Sequence, residues 1–366
     1  MMGKFFKKLA FRILVVLNIF SIILLLFIGY SGIVNPAKHP VWATIGMWFP
    51  LMLIVNIAFL VLWVFIKKKV LWLPILGLFL AYFPIRSYIP FNLPKDKSHE
   101  TIKILSYNVF LFDTWDDVSG QINPIAKYIV RSKADIVCLQ EATLYTPKAA
   151  KIMQYLKKSY PYIDNIKKKT GTDDLMLLSK FPILHREIIP FPSKSNMSVA
   201  YYININGTKT LLVNNHFESY GLSSTDKADF NNIIKGNVIG RDRINKFVSL
   251  VDKIGNTMAR RAPQADAVAT FVKKHLDKNI PVILCGDFND NPISYSYYTI
   301  NKVLTDAYKR SGNGIGWTYN ENRMYFRIDH IFASNEFEPY GAKVDKSIKN
   351  SDHYPIYCWL KYYPKP

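Results

Sequence analysis

The stretch Val282-Ile283-Leu284-Cys285-Gly286-Asp287-Phe288-Asn289 decides how the rest of this chain is read. The apolar run Val282-Ile283-Leu284 predicts a buried strand, and Gly286-Asp287-Phe288-Asn289 follows it directly, setting hard oxygen ligands at the strand end. An Asp-x-Asn segment in that position is ordinarily a turn, because both side chains can bond nearby backbone groups. Repetition changes that reading. Ile104-Leu105-Ser106-Tyr107-Asn108 and Ile136-Val137-Cys138-Leu139-Gln140-Glu141 also predict buried strands ending in groups able to bind a cation. Leu211-Leu212-Val213-Asn214-Asn215-His216 delivers a histidine the same way. Phe326-Arg327-Ile328-Asp329-His330-Ile331-Phe332 delivers a buried-looking aspartate, and Ser351-Asp352-His353 stands just before Pro355. Polar groups held at so many strand ends suit a phosphate and a metal ion held in fixed geometry.

The ordered set Asn, Gln-Glu, His, Gly-Asp-Phe-Asn, Asp, Ser-Asp-His resembles the endonuclease/exonuclease/phosphatase superfamily over roughly residues 101 to 362. The resemblance implies a four-layer α/β sandwich with two packed mixed sheets. It also implies Asn108, Glu141 and Asp352 at a metal site, Asp287 and Asn289 orienting the attacking water and the phosphate, and His216 donating to a phosphoryl oxygen. His353 would be the second essential histidine, held by Asp329. One departure is Gly171-Thr172-Asp173-Asp174, where many relatives carry a simple Gly-containing strand.

The chemistry of the residues agrees. Charge shifts among phosphate oxygens during in-line attack, so catalysis is mainly positioning and charge stabilisation by a divalent cation and fixed donors. Carboxylates and an Asn carbonyl suit Mg²⁺ or Mn²⁺ better than zinc. A carboxylate behind an imidazole fixes its tautomer and favours its charged form, which serves either proton transfer or charge stabilisation. The function expected is hydrolysis of an anionic phosphate ester carried by nucleic acid, a phospholipid head group or a soluble compound. The alternatives are a lipid hydrolase of the phospholipase C or sphingomyelinase type, and an inactive relative that binds anionic ligands or a membrane partner. No protein partner is implied.

The first hundred residues differ in kind. Phe11 to Tyr30, Val41 to Ile66 and Val70 to Ile89 are apolar stretches of membrane-spanning length, the third interrupted by Pro74 and Pro84. The first is longer than a signal-peptide core, has no evident small-x-small cleavage site, and is followed by further spans. Residues 1–92 therefore read as a membrane region with about three helices (11–30, 41–66 and 70–89), 93–100 as a linker, and 101–366 as the catalytic domain. Lys4, Lys7, Lys8, Arg12 and the run Lys67-Lys68-Lys69 should stay inside, whereas the loop from Ser31 to Pro40 holds only Lys38. Three crossings then place the catalytic domain outside the cytoplasm, on a multi-pass protein of a bacterial cytoplasmic membrane.

The formal net charge of +20 divides unevenly, with eleven basic residues against Asp96 and Glu100 in the first hundred and a surplus of +11 in the remainder. That surplus suits an anionic substrate or lipid surface, and equally an ordinary basic exterior. The three cysteines, Cys138, Cys285 and Cys358, fall in predicted strands, and their odd number and wide spacing argue against a disulfide framework or a metal knuckle and for core packing. Helices are expected at Ile122 to Ser132, Ala149 to Lys158 and Gln264 to Leu276, alternating with strands in the manner of an α/β domain. Trp317-Thr318-Tyr319 is placed to line a substrate groove, with aromatic packing in a loop as the alternative. Residues 222–262 form a basic insertion expected to contain helices, and Arg241 and Arg243 within it are expected to grip a polyanionic substrate.

Overall fold

The computed structural model describes residues 2–95, 100–116, 121–144, 149–168, 174–321 and 325–364. The Gly171-Thr172-Asp173 departure and residues 96–99 of the linker lie outside that set. Asp174, at the edge of it, is buried at the start of a strand.

The two apolar-rich halves of the sandwich are strands that read as continuous hydrophobic runs because both faces are covered. One sheet contains β1 (Ile102–Asn108), β2 (Ile136–Gln140), β3 (Tyr162–Lys167), β4 (Asp174–Ser179), β11 (Phe337–Val344) and β12 (Ile356–Tyr362), in the order β11-β12-β1-β2-β4-β3. The other contains β5 (Ile183–Ile189), β6 (Met197–Ile205), β7 (Thr208–His216), β8 (Val282–Asp287), β9 (Thr305–Asp306) and β10 (Asp329–Ala333), in the order β5-β6-β7-β8-β10-β9. Both are mixed, with β1 parallel to β2 in the first and β7 parallel to β8 in the second.

Between the sheets lie Ile104, Leu177, Val199, Leu212, Ile331 and the three cysteines' neighbours, and Cys138, Cys285 and Cys358 are themselves buried there as free thiols. Outside the first sheet pack α6 (Pro124–Ser132) and α7 (Ala149–Lys157), over a second core that includes Ile129, Val137, Leu156 and Met176. Outside the second sheet pack α10 (Tyr295–Asn301) and the inner half of α9 (Gly240–Leu276). Helices, sheet, sheet and helices make the four-layer α/β sandwich.

The α9 helix departs from the expected boundaries. A break was expected near Ala262, between an insertion and a helix starting at Gln264, yet one helix of 37 residues runs straight through Pro263. Beyond Pro263 its apolar face, Ala265, Val268, Ala269 and Val272, is buried on the sheet, so tertiary packing outweighs the one backbone bond that proline removes. Its N-terminal end projects from the domain and pairs with α8 (Ser224–Lys235), which has a Ser223–Asp226 capping box and ends at Gly236 in the left-handed conformation.

The N-terminal region has two helical stretches long and apolar enough to cross a membrane, Lys4–Ile33 and Pro40–Ile66. Helix α1 (Met2–Gly29) forms the first, and the second consists of the short α2 (Pro40–Ala43), a 3-10 turn over Thr44–Trp48 and α3 (Phe49–Ile66). The third expected span is a pair, α4 (Trp72–Leu80) and α5 (Tyr82–Tyr88), bent by 62° at Ala81. Within the bundle Asn18, Ser21, Asn56 and Trp63 satisfy one another, Trp63 Nε1 donating to Asn18 Oδ1 at 2.9 Å. A Cβ at Gly77 would fall 2.7 Å from Ile22 Cγ1 and one at Gly29 3.0 Å from Pro84 Cγ, so a larger residue at either would require its neighbour to shift.

Candidate active site

Register brings the strand-end groups together. Asn108 pairs with Gln140 across the parallel β1 and β2, while Asp287 lies beside His216 on one flank and Asp329 on the other. The site thus forms where the C-terminal ends of the two parallel pairs meet across the sandwich. Gln140 Nε2 donates to Asn214 Oδ1 at 2.8 Å, and Asn214 Nδ2 donates to the Leu139 carbonyl at 3.0 Å, tying the two sheets just beneath it.

Asp287 is the centre. Its Oδ2 accepts from Asn108 Nδ2 at 3.1 Å and lies 3.7 Å from both His216 Nε2 and His353 Nε2. Its Oδ1 accepts from the Asn289 backbone N–H at 2.7 Å. Burial and the neighbouring Asp329 push the Asp287 carboxyl up to about 6, the two imidazoles opposing the rise. His353 Nδ1 bonds Asp329 Oδ2 at 2.8 Å. Burial alone would discharge this imidazole, but the carboxylates of Asp329 and Asp287 outweigh it and hold the ring's pKa well above its ordinary value. The Tyr319 ring stands edge-on to His353 with centroids 5.3 Å apart.

Backbone geometry holds these groups under constraint. Gly286 has φ +146°, and a Cβ there would fall 1.8 Å from the Asn215 carbonyl oxygen, which explains the glycine of Gly-Asp-Phe-Asn. Glu141 and Asn289 both have φ near the left-handed helical value, 51°. An asparagine tolerates that conformation readily, and Asn289 is further fixed by Nδ2 donating to the Phe217 carbonyl at 3.0 Å. For Glu141 it is a strained state at the cleft, pinned where Leu111 N–H donates to the Glu141 carbonyl at 3.0 Å.

A cleft of about 260 Å³ opens over the site, lined by Glu141, Asp287, Asn289, Asp352 and His353 among others. Of the residues expected to hold a metal, Glu141 and Asp352 present carboxylates to this cleft, and Asn108 Nδ2 donates to Glu141 Oε1 at 3.0 Å. No cysteine lines it, and this hard-oxygen donor set fits Mg²⁺ or Mn²⁺. Asp287, Asp329 and His353 also bring ligand atoms within 4.8 Å of one another, but the Asp329–His353 hydrogen bond already engages both partners. The carboxylates at the cleft mouth are the better match to a cation.

Other expected site residues fall elsewhere. Thr318 is buried, and its Oγ1 accepts from the backbone N–H groups of Ile328 and Asp329 at 2.9 and 3.0 Å, so it fixes the strand under Asp329. Trp317 faces a separate, larger and more open cavity of about 930 Å³ that contains none of the strand-end groups. There it packs on Tyr325 at 5.2 Å between ring centroids, with Lys346 Nζ 4.8 Å from its ring. Arg241 and Arg243 sit on the exposed first turn of α9 and do not line the cleft, because that end of the helix projects away from the sheet.

Some residues that line or support the cleft carried no clear sequence signal. Arg261 and Asp290 form a fully buried ion pair at 2.9 Å, with the guanidinium 4.5 Å from the Tyr220 ring, and this locks α9 to the loop after Asp287. Asp290 could have been suspected from its place directly after Asn289. Met47, which also lines the cleft, comes from the N-terminal region far away in sequence.

A family model described as Endonuclease/Exonuclease/phosphatase family matches residues 105–353, and one described as a domain of unknown function matches residues 11–88. No curated protein matches the chain. Among solved structures, truncated TDP2 from Caenorhabditis elegans is similar with a TM-score of 0.53 at 16% identity, covering 72% of this chain and 99% of that one. An endonuclease/exonuclease/phosphatase from Bacteroides vulgatus is similar with a TM-score of 0.50 at 17% identity, covering 73% of this chain and 100% of that one. At such identities the likeness is one of fold.

Proposed function

We propose, from the premise that this chain belongs to the Endonuclease/Exonuclease/phosphatase family, that it is a membrane-anchored, divalent-metal-dependent hydrolase of phosphate esters. The observation that carries this reading is the convergence of Asn108, His216 and His353 on one buried carboxylate oxygen of Asp287. Ionised at neutral pH yet more basic than an ordinary aspartate, Asp287 is suited to take a proton from the attacking water. His353, kept charged by Asp329, is suited to neutralise the phosphoryl oxygens as negative charge builds on them, with His216 donating alongside. Asn289 and the Asp287 carboxylate would align water with phosphorus. Glu141 and Asp352 would hold Mg²⁺ or Mn²⁺, with Asn108 steadying Glu141, and the cation would supply further neutralisation of the phosphate.

The test is turnover of a small chromogenic phosphodiester by the full-length protein in detergent, with Mg²⁺, Mn²⁺ or EDTA. Activity is expected with either ion and to vanish with EDTA. Asp329→Asn should lower kcat by about a hundredfold or more, the scale of a lost proton-transfer or charge-stabilising group. Wild-type turnover in Asp329→Asn or His353→Ala would refute the assignment.

A further inference from the structure

The walls of the cleft differ in chemistry. Its floor is the polar cluster around Asp287, whereas one side is apolar and built by Met47 together with Phe230, Leu250 and Ile254 of the α8–α9 hairpin. Met47 lies in the turn Thr44–Trp48 that leads into the apolar helix α3. Lys227 is the single lysine or arginine among the described residues lining the cleft. A path for a polyanion would need a succession of such cations along it.

The outer surface of the hairpin continues this apolar wall. Ile239 is 80% exposed, and Ile244, Phe247 and Val248 on the free end of α9 are 63%, 40% and 50% exposed. Positions 244, 247 and 248 share one helical face. Phe247 lies against Trp48, ring centroids 6.2 Å apart, and Trp48 immediately precedes α3. Further along α9, the backbone at Gly255 is so close to the Pro40 carbonyl that a Cβ would lie 2.8 Å from it. The exposed apolar face is therefore continuous with the head of a helix long and apolar enough to cross a membrane. Arg241, Arg243 and Lys235 flank it, an arrangement suited to the boundary between acyl chains and anionic head groups.

Resting on the hydrolase reading above, we infer that the α8–α9 hairpin lies in the membrane interface and that the substrate is a lipid phosphate ester. Its head group enters the cleft past Met47 and its hydrocarbon chains stay in the bilayer. The hydrophobic chains then meet Phe230, Leu250 and Ile254, and the phosphate meets Asp287, His353 and the carboxylates of Glu141 and Asp352.

Two measurements on the full-length protein test this. In the first, the protein is reconstituted in vesicles of phosphatidylethanolamine, phosphatidylglycerol and phosphatidic acid, and release of the phosphorylated head groups or of inorganic phosphate is compared with hydrolysis of the chain-free glycerophosphate esters. Hydrolysis should favour the lipids. The double variant Ile244→Asp/Val248→Asp should lose roughly tenfold or more on vesicles, from lost interfacial burial of two aliphatic side chains, while keeping wild-type turnover of the small chromogenic diester. Equal loss on both, no loss on vesicles, or faster cleavage of an oligonucleotide than of any lipid would overturn the substrate assignment. Inactivity of the wild type on every substrate would overturn the hydrolase reading and the lipid assignment with it. The second measurement needs no activity. Because Cys138, Cys285 and Cys358 are buried, a nitroxide can be directed to Ile244→Cys or, on the opposite face, Asp242→Cys. Collision with oxygen should dominate at 244 and with a water-soluble nickel chelate at 242. Equal exposure of both to the chelate would place the hairpin in water.

Discussion

At the residue scale, the site is a set of short polar contacts made affordable by rigid neighbours. Asp287 can remain buried because Asn108, the Asn289 backbone and two imidazoles share its charge. Its position depends on the residue before it. The β7 backbone passes so close to Gly286 that any side chain would collide with the Asn215 carbonyl, and the φ of +146° is one that residues with a Cβ rarely adopt. Gly286→Ala is therefore expected to cost about 3 kcal/mol or more through overpacking and backbone strain, read as a lowered denaturation midpoint of the full-length protein in detergent. A fully stable variant would show that β7 and β8 can separate without cost. Glu141 and Asn289 carry their left-handed conformations at the cleft itself, where strain in one residue is offset by the bonds of its neighbours.

At the element scale, the bent third apolar segment is fastened to the catalytic domain by Arg327, with Arg86 of α5 adding a bond to the Lys309 carbonyl at 3.3 Å. Arg327 is buried two residues before Asp329, its guanidinium donates to the carbonyls of Ser87 and Ile315, the latter at 2.7 Å, and its face covers the Tyr308 ring at 4.5 Å. Ser87 and Tyr88 end α5, so a cation meets the carbonyls that a helix C-terminus leaves unbonded. Arg327→Met should destabilise the protein by about 3 kcal/mol, since buried carbonyls lose a charged donor. Proteolysis between residues 89 and 95 is the direct readout, and cleavage no faster than in the wild type would show that α5 is held by other contacts. Although Arg327 stands only two residues from Asp329, that carboxylate is bonded to His353 instead.

At the scale of the whole molecule, charge and contact divide the apolar bundle into two ends. Lys67 Nζ lies 4.7 Å from the Phe11 ring, so the N-terminal basic residues and the Lys67-Lys68-Lys69 run gather at one end. The other end, around Ser31 to Thr44, meets α9 and the Ile293–Ser294 backbone of the catalytic domain. Basic residues favour the cytoplasmic side, so the catalytic domain is expected outside the cytoplasm, with the bent α4–α5 pair completing a third crossing. A reporter active only outside the cytoplasm should work when fused after Pro366 and be silent when fused after Lys69. Silence of the terminal fusion would mean that Val70 to Ile89 does not span, and would turn attention to cytoplasmic substrates; activity of the Lys69 fusion would reverse the orientation of the first two helices.

The sequence by itself determined an α/β domain, because its strands are short apolar runs and its helices follow a separate period, and the four-layer sandwich was legible through the family resemblance that its strand-end residues carry. It also determined the apolar character of the first two N-terminal helices, since composition and length suffice for that. What it could not determine is anything set by register or by packing between distant segments. That His216 and Asp329 flank Asp287 on neighbouring strands follows from pairing in β7, β8 and β10. That Thr318 serves the backbone and Trp317 a different cavity follows from how a loop folds back on Asp329. The continuity of α9 through Pro263 and the removal of Arg241 and Arg243 from the cleft were decided by which helix face found a core to bury. Met47 belongs to the cleft only because the N-terminal bundle docks beside α9, a long-range contact with no local signature for a sequence to carry.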